Sequence, residues 1–162
     1  MHIAYLLTGT NVGHREKNLE KAATLIAEKC GSIRLVSSVY ETAAWGITTQ
    51  PEFLNQVLSV NTHQHAEELL ERILDIEISM GRVRKEKYGP RLIDIDILLY
   101  DKDIINLPSL KIPHPAMSQR RFVLQPLAEI AGNFLHPVRN RTISQLLEEC
   151  TDPLDVKKFL QV

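Results

Sequence analysis

The sequence is poor in the features that would settle its class at once. Its 162 residues hold only two cysteines, Cys30 and Cys150, too far apart for a metal-ligand pair and too few for a disulfide framework. They read as small residues of a reducing compartment. Nine aromatic residues and no long apolar run leave nothing that would span a bilayer. Met1-His2 leads straight into Ile3-Ala4-Tyr5-Leu6-Leu7, which is too short for a secretory core, so a cytoplasmic location is expected. A formal net charge of −1 excludes general affinity for nucleic acid or membranes and makes any anion site local. There is no G-x-x-x-x-G-K-[ST] loop and no G-x-G-x-x-G turn; Gly9-Thr10-Asn11-Val12-Gly13 is too loose to serve as either. No repeat, low-complexity stretch or linker divides the chain, and one domain over 1–162 is expected.

What is present is an ordered alternation of elements. Ile3 to Thr8 suits a buried strand, and residues 18–30 carry Leu19, Ala22, Ala23, Ile26 and Ala27 at helical spacing before the stop at Gly31. Ile33 to Tyr40 reads as a strand, 41–51 as a loop and 53–62 as a strand. Leu69, Leu70, Ile73, Ile76 and Met80 form the clearest helical stripe, over 66–80. A charged loop over 81–90 precedes a strand over 92–100, an irregular stretch over 108–119, and helices over 122–131 and 142–149. The order β-α-β-β-α-β predicts an α+β sandwich with a ferredoxin-like core, its antiparallel sheet flanked by helices.

Three segments could carry chemistry. In Leu92-Ile93-Asp94-Ile95-Asp96-Ile97 the period of two puts both aspartates on one strand face and the isoleucines on the other. Two adjacent carboxylates repel unless a cation lies between them, and Mg²⁺ favours such oxygen ligands together with substrate phosphates. Arg82, Arg84, Lys85, Lys87 and Arg91 precede them between Gly81 and Gly89-Pro90, as in a closing lid that neutralises phosphate. The plainer readings are an edge strand with two outward aspartates and a solvated charge run. In the second segment, His114 stands between Pro113 and Pro115, with Arg120, Arg121 and Phe122 just beyond; it reads as a phosphate site or as a surface turn. In the third, Phe53 and Asn55 share a strand face downstream of Thr42, Ala43 and Trp45. That pair suits a flat heterocycle, or an ordinary core ring beside a capping amide.

In this order and at these distances, the segments resemble the 6-hydroxymethyl-7,8-dihydropterin pyrophosphokinase family of folate biosynthesis. Gly9-Thr10-Asn11, Ser37 to Thr42, Phe53-Leu54-Asn55, Gly81 to Arg84, Gly89-Pro90-Arg91, Asp94-x-Asp96, Pro113-His114-Pro115 and Arg120 to Leu124 carry the likeness, over roughly residues 3 to 137. The resemblance implies transfer of the terminal diphosphate of ATP to the pterin hydroxyl, in a monomer. It implies two Mg²⁺ on Asp94 and Asp96, and catalytic roles for Arg82 and Arg91 beside those aspartates. ATP would meet Arg84, Ile97, Leu110, His114 and Arg120. The pterin would lie between Phe53 and Phe122, paired with Asn55, in a pocket completed by Thr42, Ala43 and Trp45. Glu77 would line the site from its helix. Departures from the family pattern are Tyr88 where many members carry tryptophan, and Ala43 and Ala44 where prolines are common. Two other classes remain open: a ferredoxin-like module that grips a nucleotide or single-stranded RNA without catalysis, and a two-metal phosphoesterase.

Overall fold

The computed structural model describes residues 1–43, 51–81 and 92–159. The strands are β1 (His2–Thr10), β2 (Ser32–Val36), β3 (Tyr40–Thr42), β4 (Phe53–Thr62), β5 (Asp94–Tyr100), β6 (Ile105–Leu107), β7 (Leu110–Ile112) and β8 (Val156–Lys158). The helices are α1 (Arg15–Lys29), α2 (Ala66–Ser79), α3 (Arg121–Ala131) and α4 (Ile143–Glu149).

Alternation along β1 explains the layering. Ala4 and Leu6 point into one apolar cluster with Leu19, Ala22 and Ile26 of α1 and Leu69, Ile73 and Ile76 of α2. Tyr5 and Leu7 point the other way, to Val123, Leu124 and Leu127 of α3 and Ile143 and Leu146 of α4. A strand buried on both faces has no polar alternation, which is why residues 3–7 read as one apolar run. The sheet is antiparallel, in the order β5-β1-β4-β3-β8 with β2 also on β4. Taking β1, β2, β4 and β5 as the four core strands gives the ferredoxin-like arrangement expected from the sequence.

The termini of α2 and α4 follow local chemistry. Glu67 and Glu68 sit in the first turn of α2, where acids complement the helix dipole. Thr142 and Gln145 close a reciprocal capping box on α4. Gly31 stops α1 with a φ of 153° and lies so close to β4 that a Cβ there would meet the Asn61 carbonyl oxygen at 2.0 Å.

Two expectations need correction. The single strand over 33–40 is two strands: Ser37 still donates its N–H to Val57 O of β4 at 2.9 Å, but beyond it the serines take other partners. Ser37 Oγ accepts the Val57 N–H at 2.9 Å, and the Ser38 N–H and hydroxyl both donate to Glu129 on α3. Tyr40 adds an O–H bond of 2.6 Å to the same carboxylate. The stretch over 108–119 is partly ordered: β6 and β7 form a small antiparallel hairpin, and Met117–Gln119 forms one 3₁₀ turn. Strand β8, on which the sequence carries no reading, pairs with β3 although residues 150–159 carry no strand pattern. Among the described residues no helix is long and apolar enough to cross a membrane.

Beyond α3 the chain turns on His136, which is 5% exposed. Its Nδ1 accepts the N–H groups of Val138 and Arg139, at 3.2 and 3.1 Å. Burial, helped by the Arg139 charge, holds this ring below its ordinary 6.5. The unfolded chain therefore binds more protons between the two values. The contribution to stability is complete above about pH 6.5 and is lost as pH falls toward the folded value. Urea midpoints at pH 7.5 and 5.5 are expected to fall on acidification. They should fall less in His136→Asn, whose carboxamide oxygen accepts the same bonds without titrating.

Candidate active site

The register of β1 lines up a polar row across one end of the sheet. Asp94 of β5 stands opposite Gly9 of β1, Gly9 opposite Asn55 of β4, and Asn55 opposite Tyr40 of β3. Directly opposed residues of an antiparallel pair share a face. Asp96 opposes Leu7, and Phe53 opposes Thr42, so all four join the face that α3 covers further along. Asp94 and Asp96 are half-buried while Ile93, Ile95 and Ile97 are buried on the opposite face. That is the placement their period of two predicts.

The edge of β5 is held by an acid. Glu77 of α2, 5% exposed, accepts the Ile95 N–H at 2.8 Å, at the residue between the two aspartates. Its side chain thereby fixes the backbone that aims them. The sequence signal for this contact is an acid set among the buried Ile73, Ile76 and Met80 of an otherwise apolar helix face.

His114 approaches from the loop after β7. Its N–H donates to Leu98 O on β5 at 2.9 Å, and its Nδ1 accepts the Ala116 N–H at 3.2 Å. An accepting Nδ1 leaves the proton of the neutral ring on Nε2, as a donor. Burial lowers the His114 pKa, the nearby Asp96 charge opposes that shift and Arg120 reinforces it. Arg120 lies just before α3, its guanidinium 5.7 Å from the Phe122 ring centre. Arg121 does not join this cationic group. It donates to Cys150 O at 3.0 Å and to Asp152 O at 3.3 and 3.2 Å, so the paired fork expected at 120–121 is a single one.

On the other side, Asn55 is 4% exposed and its Nδ2 donates to Thr8 O at 3.3 Å. Thr42 is 2% exposed and its hydroxyl is buried with no hydrogen-bond partner. A buried hydroxyl left in that state costs on the order of 1–3 kcal/mol, which a bound polar ligand would relieve. Ala43 is exposed, and Phe53 and Phe122 are half-buried. Ile97 and Leu110 lie together in the cluster under α1 and α2, so their side chains are not on the face of the aspartates. Arg82, Arg84, Arg91 and Trp45 fall outside the described residues.

The donor set suits Mg²⁺. Two carboxylates stand on one rigid strand, and no group of three His, Cys, Asp or Glu that could hold a metal occurs among the described residues. Magnesium is commonly held by one or two carboxylates, with water and substrate phosphates completing its shell.

By fold and site this is a ferredoxin-like α+β enzyme with a paired-carboxylate centre. It belongs to the 7,8-dihydro-6-hydroxymethylpterin-pyrophosphokinase family, whose model matches residues 5–132. The 2-amino-4-hydroxy-6-hydroxymethyldihydropteridine pyrophosphokinase of Aquifex aeolicus is 41% identical over 151 residues, covering 93% of this chain and 94% of that one. Its namesake in Bacillus subtilis is 42% identical over 130 residues, covering 80% and 78%. A crystal structure of Plasmodium falciparum wild-type HPPK-DHPS with pteroate superposes with a TM-score of 0.76. It covers 91% of this chain and 42% of the other, and at 19% identity it speaks for the fold alone.

Gly9 is the close-approach point of the row: a Cβ there would lie 2.5 Å from Asn55 Nδ2. Gly9→Ala must swing that carboxamide off Thr8 while leaving the apolar clusters intact. Turnover is expected to fall about tenfold or more, roughly 1.4 kcal/mol, with the thermal midpoint changing by a few degrees at most. Wild-type turnover in a folded Gly9→Ala would mean that the aim of Asn55 carries no weight.

Proposed function

We propose that this chain transfers the terminal diphosphate of ATP to the hydroxyl of 6-hydroxymethyl-7,8-dihydropterin, giving AMP and the pterin diphosphate, as one step of folate biosynthesis. The observation that carries the reading is the shared face of β5, β4 and β3. It sets two half-buried carboxylates in one row with a buried carboxamide and an orphaned hydroxyl. The named relatives are called after this pterin, and the family match spans the whole row.

Each described residue has a task in this reaction. The hydroxyl oxygen forms a bond to the β-phosphorus, and the bond from that phosphorus to the oxygen of the α-phosphate breaks. AMP leaves with the electron pair, and the hydroxyl proton passes to water. Asp94 and Asp96 would hold two Mg²⁺, which supply charge neutralisation of the diphosphate and acidify the attacking hydroxyl. Glu77 keeps the β5 backbone between them in place. His114 offers its Nε2 proton and Arg120 its fork to the phosphates, the neutral ring donating without adding charge. Arg82, Arg84 and Arg91 would clamp the moving group from the segment that follows α2. Asn55 pairs with the polar edge of the pterin, Phe53 and Phe122 flank its ring, and Thr42, Ala43 and Trp45 close the pocket. Ile97 and Leu110, whose side chains are in the core, would meet the nucleotide through their backbone only. The enzyme acts as a cytoplasmic monomer in this account.

The rival class, a phosphoesterase, would release AMP from ATP with no pterin present. The test follows AMP formation with and without hydroxymethyl-dihydropterin, in Mg²⁺ and in chelator. AMP is expected only when pterin and Mg²⁺ are both present. Asp96→Ala removes no core volume and is expected to fold normally while losing about 10³-fold or more of the rate, roughly 4 kcal/mol. A folded Asp96→Ala within tenfold of wild type would sink the assignment of that carboxylate.

A further inference from the structure

The family match ends at residue 132, yet the segment over 152–159 returns to the pterin side of the row and touches it at several points. Asp152, 7% exposed, starts the return. Its carboxylate accepts the Arg121 N–H at 3.0 Å and the Leu154 N–H at 3.0 Å, while Arg121 donates back to its carbonyl. From there β8 adds to the outer edge of β3, with Val156 opposite Thr42, Lys157 opposite Glu41 and Lys158 opposite Tyr40. The Phe159 N–H closes the pairing on Val39 O at 2.8 Å.

Arg15, at the start of α1, joins this segment to both ends of the stretch between β3 and β4. Its Nη1 donates to Glu41 Oε2 and to Glu52 O, each at 2.8 Å, and its guanidinium carbon lies 5.6 Å from the Phe159 ring centre. Glu41 precedes Thr42, and Glu52 precedes Phe53. Asn11 adds a third hold, donating from Nδ2 to Pro51 O at 3.0 Å. A guanidinium that serves two acceptors, one on β3 and one just before β4, loses much of its geometry if its stem can swing. An aromatic face over it limits that swing and adds cation–π attraction.

We propose that the segment over 152–159, acting through the Phe159–Arg15 contact, is a strap that positions Thr42 and Phe53 for pterin binding. Arg15 and Phe159 are positioning residues here, for neither reaches the row itself. The inference rests on the pterin reading of that row given above. Its chemistry divides the site in two. The strap holds β3 and the start of β4, whereas the aspartates on β5 are aimed by Glu77, on the far side of β1. Loosening the strap should therefore weaken pterin binding and leave nucleotide binding alone.

The experiment uses the full chain and three variants: Phe159→Ala, Phe159→Tyr, which keeps the ring face, and Arg15→Gln. Steady-state AMP formation is measured with pterin varied at saturating Mg²⁺-ATP and with ATP varied at saturating pterin. Amide hydrogen exchange at residues 40–42 and 53–54 of the free proteins supplies a readout that needs no ligand. In Phe159→Ala and Arg15→Gln the KM for pterin is expected to rise about tenfold, with the KM for ATP within threefold and kcat little changed. Exchange at 40–42 should accelerate in both, and Phe159→Tyr should restore both readouts to within threefold of wild type. Unchanged exchange and unchanged pterin KM would overturn the strap. So would equal losses for pterin and ATP that track the thermal midpoint, or a failure of Phe159→Tyr to rescue. Faster exchange in the variants of a protein whose wild type makes no pterin-dependent AMP would instead overturn the proposed function, since the strap would then hold a site for something else.

Discussion

The register of β1 between β4 and β5 is the constraint on which the rest depends. It is a central strand with a paired neighbour on each side, and it carries no functional side chain of its own in the row. Its contribution at the key position is Gly9, whose missing Cβ lets Asn55 reach Thr8 across the strand. A slip of one residue on either side would send Asp94 and Asp96, or Phe53 and Asn55, to the face covered by α1 and α2. That slip is opposed by every buried side chain of β1, since Ala4 and Leu6 and Tyr5 and Leu7 fill two different clusters. The site is thus aligned by the core rather than by contacts among its own residues.

Electrostatics then separates the two halves of the row. On β5 the charge is concentrated: two aspartates, with the Glu77 carboxylate bonded to the strand between them. Burial holds His114 below its ordinary pKa beside Asp96, so the ring adds little positive charge at this end of the row. On β3 and β4 the groups are uncharged and buried, as suits an uncharged heterocycle with polar edges. The backbone of β1 stands between the carboxylate end of the row and its uncharged end.

Legibility in the sequence follows how local each cause is. The alternation of Asp94 and Asp96 with isoleucines, and the pairing of Phe53 with Asn55, are readable because a strand has a period of two whatever lies beside it. The α2 stripe and the stop at Gly31 are equally local. Less readable is the break between β2 and β3, because Ser37 bonds β4 partly through its side chain and Ser38 turns to a partner 91 positions away. The same holds for Arg121, whose cation looks like its neighbour Arg120 in sequence but is committed to Cys150 and Asp152. Strand β8 carries no pattern of its own and exists because the edge of β3 lay open to it. The face of Ile97 follows from the same period of two, whereas that of Leu110 is set by packing into the cluster with α1 and α2.

The central claim is that the two carboxylates of β5 form a nucleotide-dependent cation centre. Manganese, which is visible by electron paramagnetic resonance, can be titrated into the protein with a non-hydrolysable ATP analogue and pterin present. The account predicts two bound ions in wild type. It predicts loss of at least one in Asp96→Asn and of both in the Asp94→Asn, Asp96→Asn pair, with the fold unchanged by circular dichroism. Two ions bound with wild-type affinity in the doubly substituted protein would contradict it.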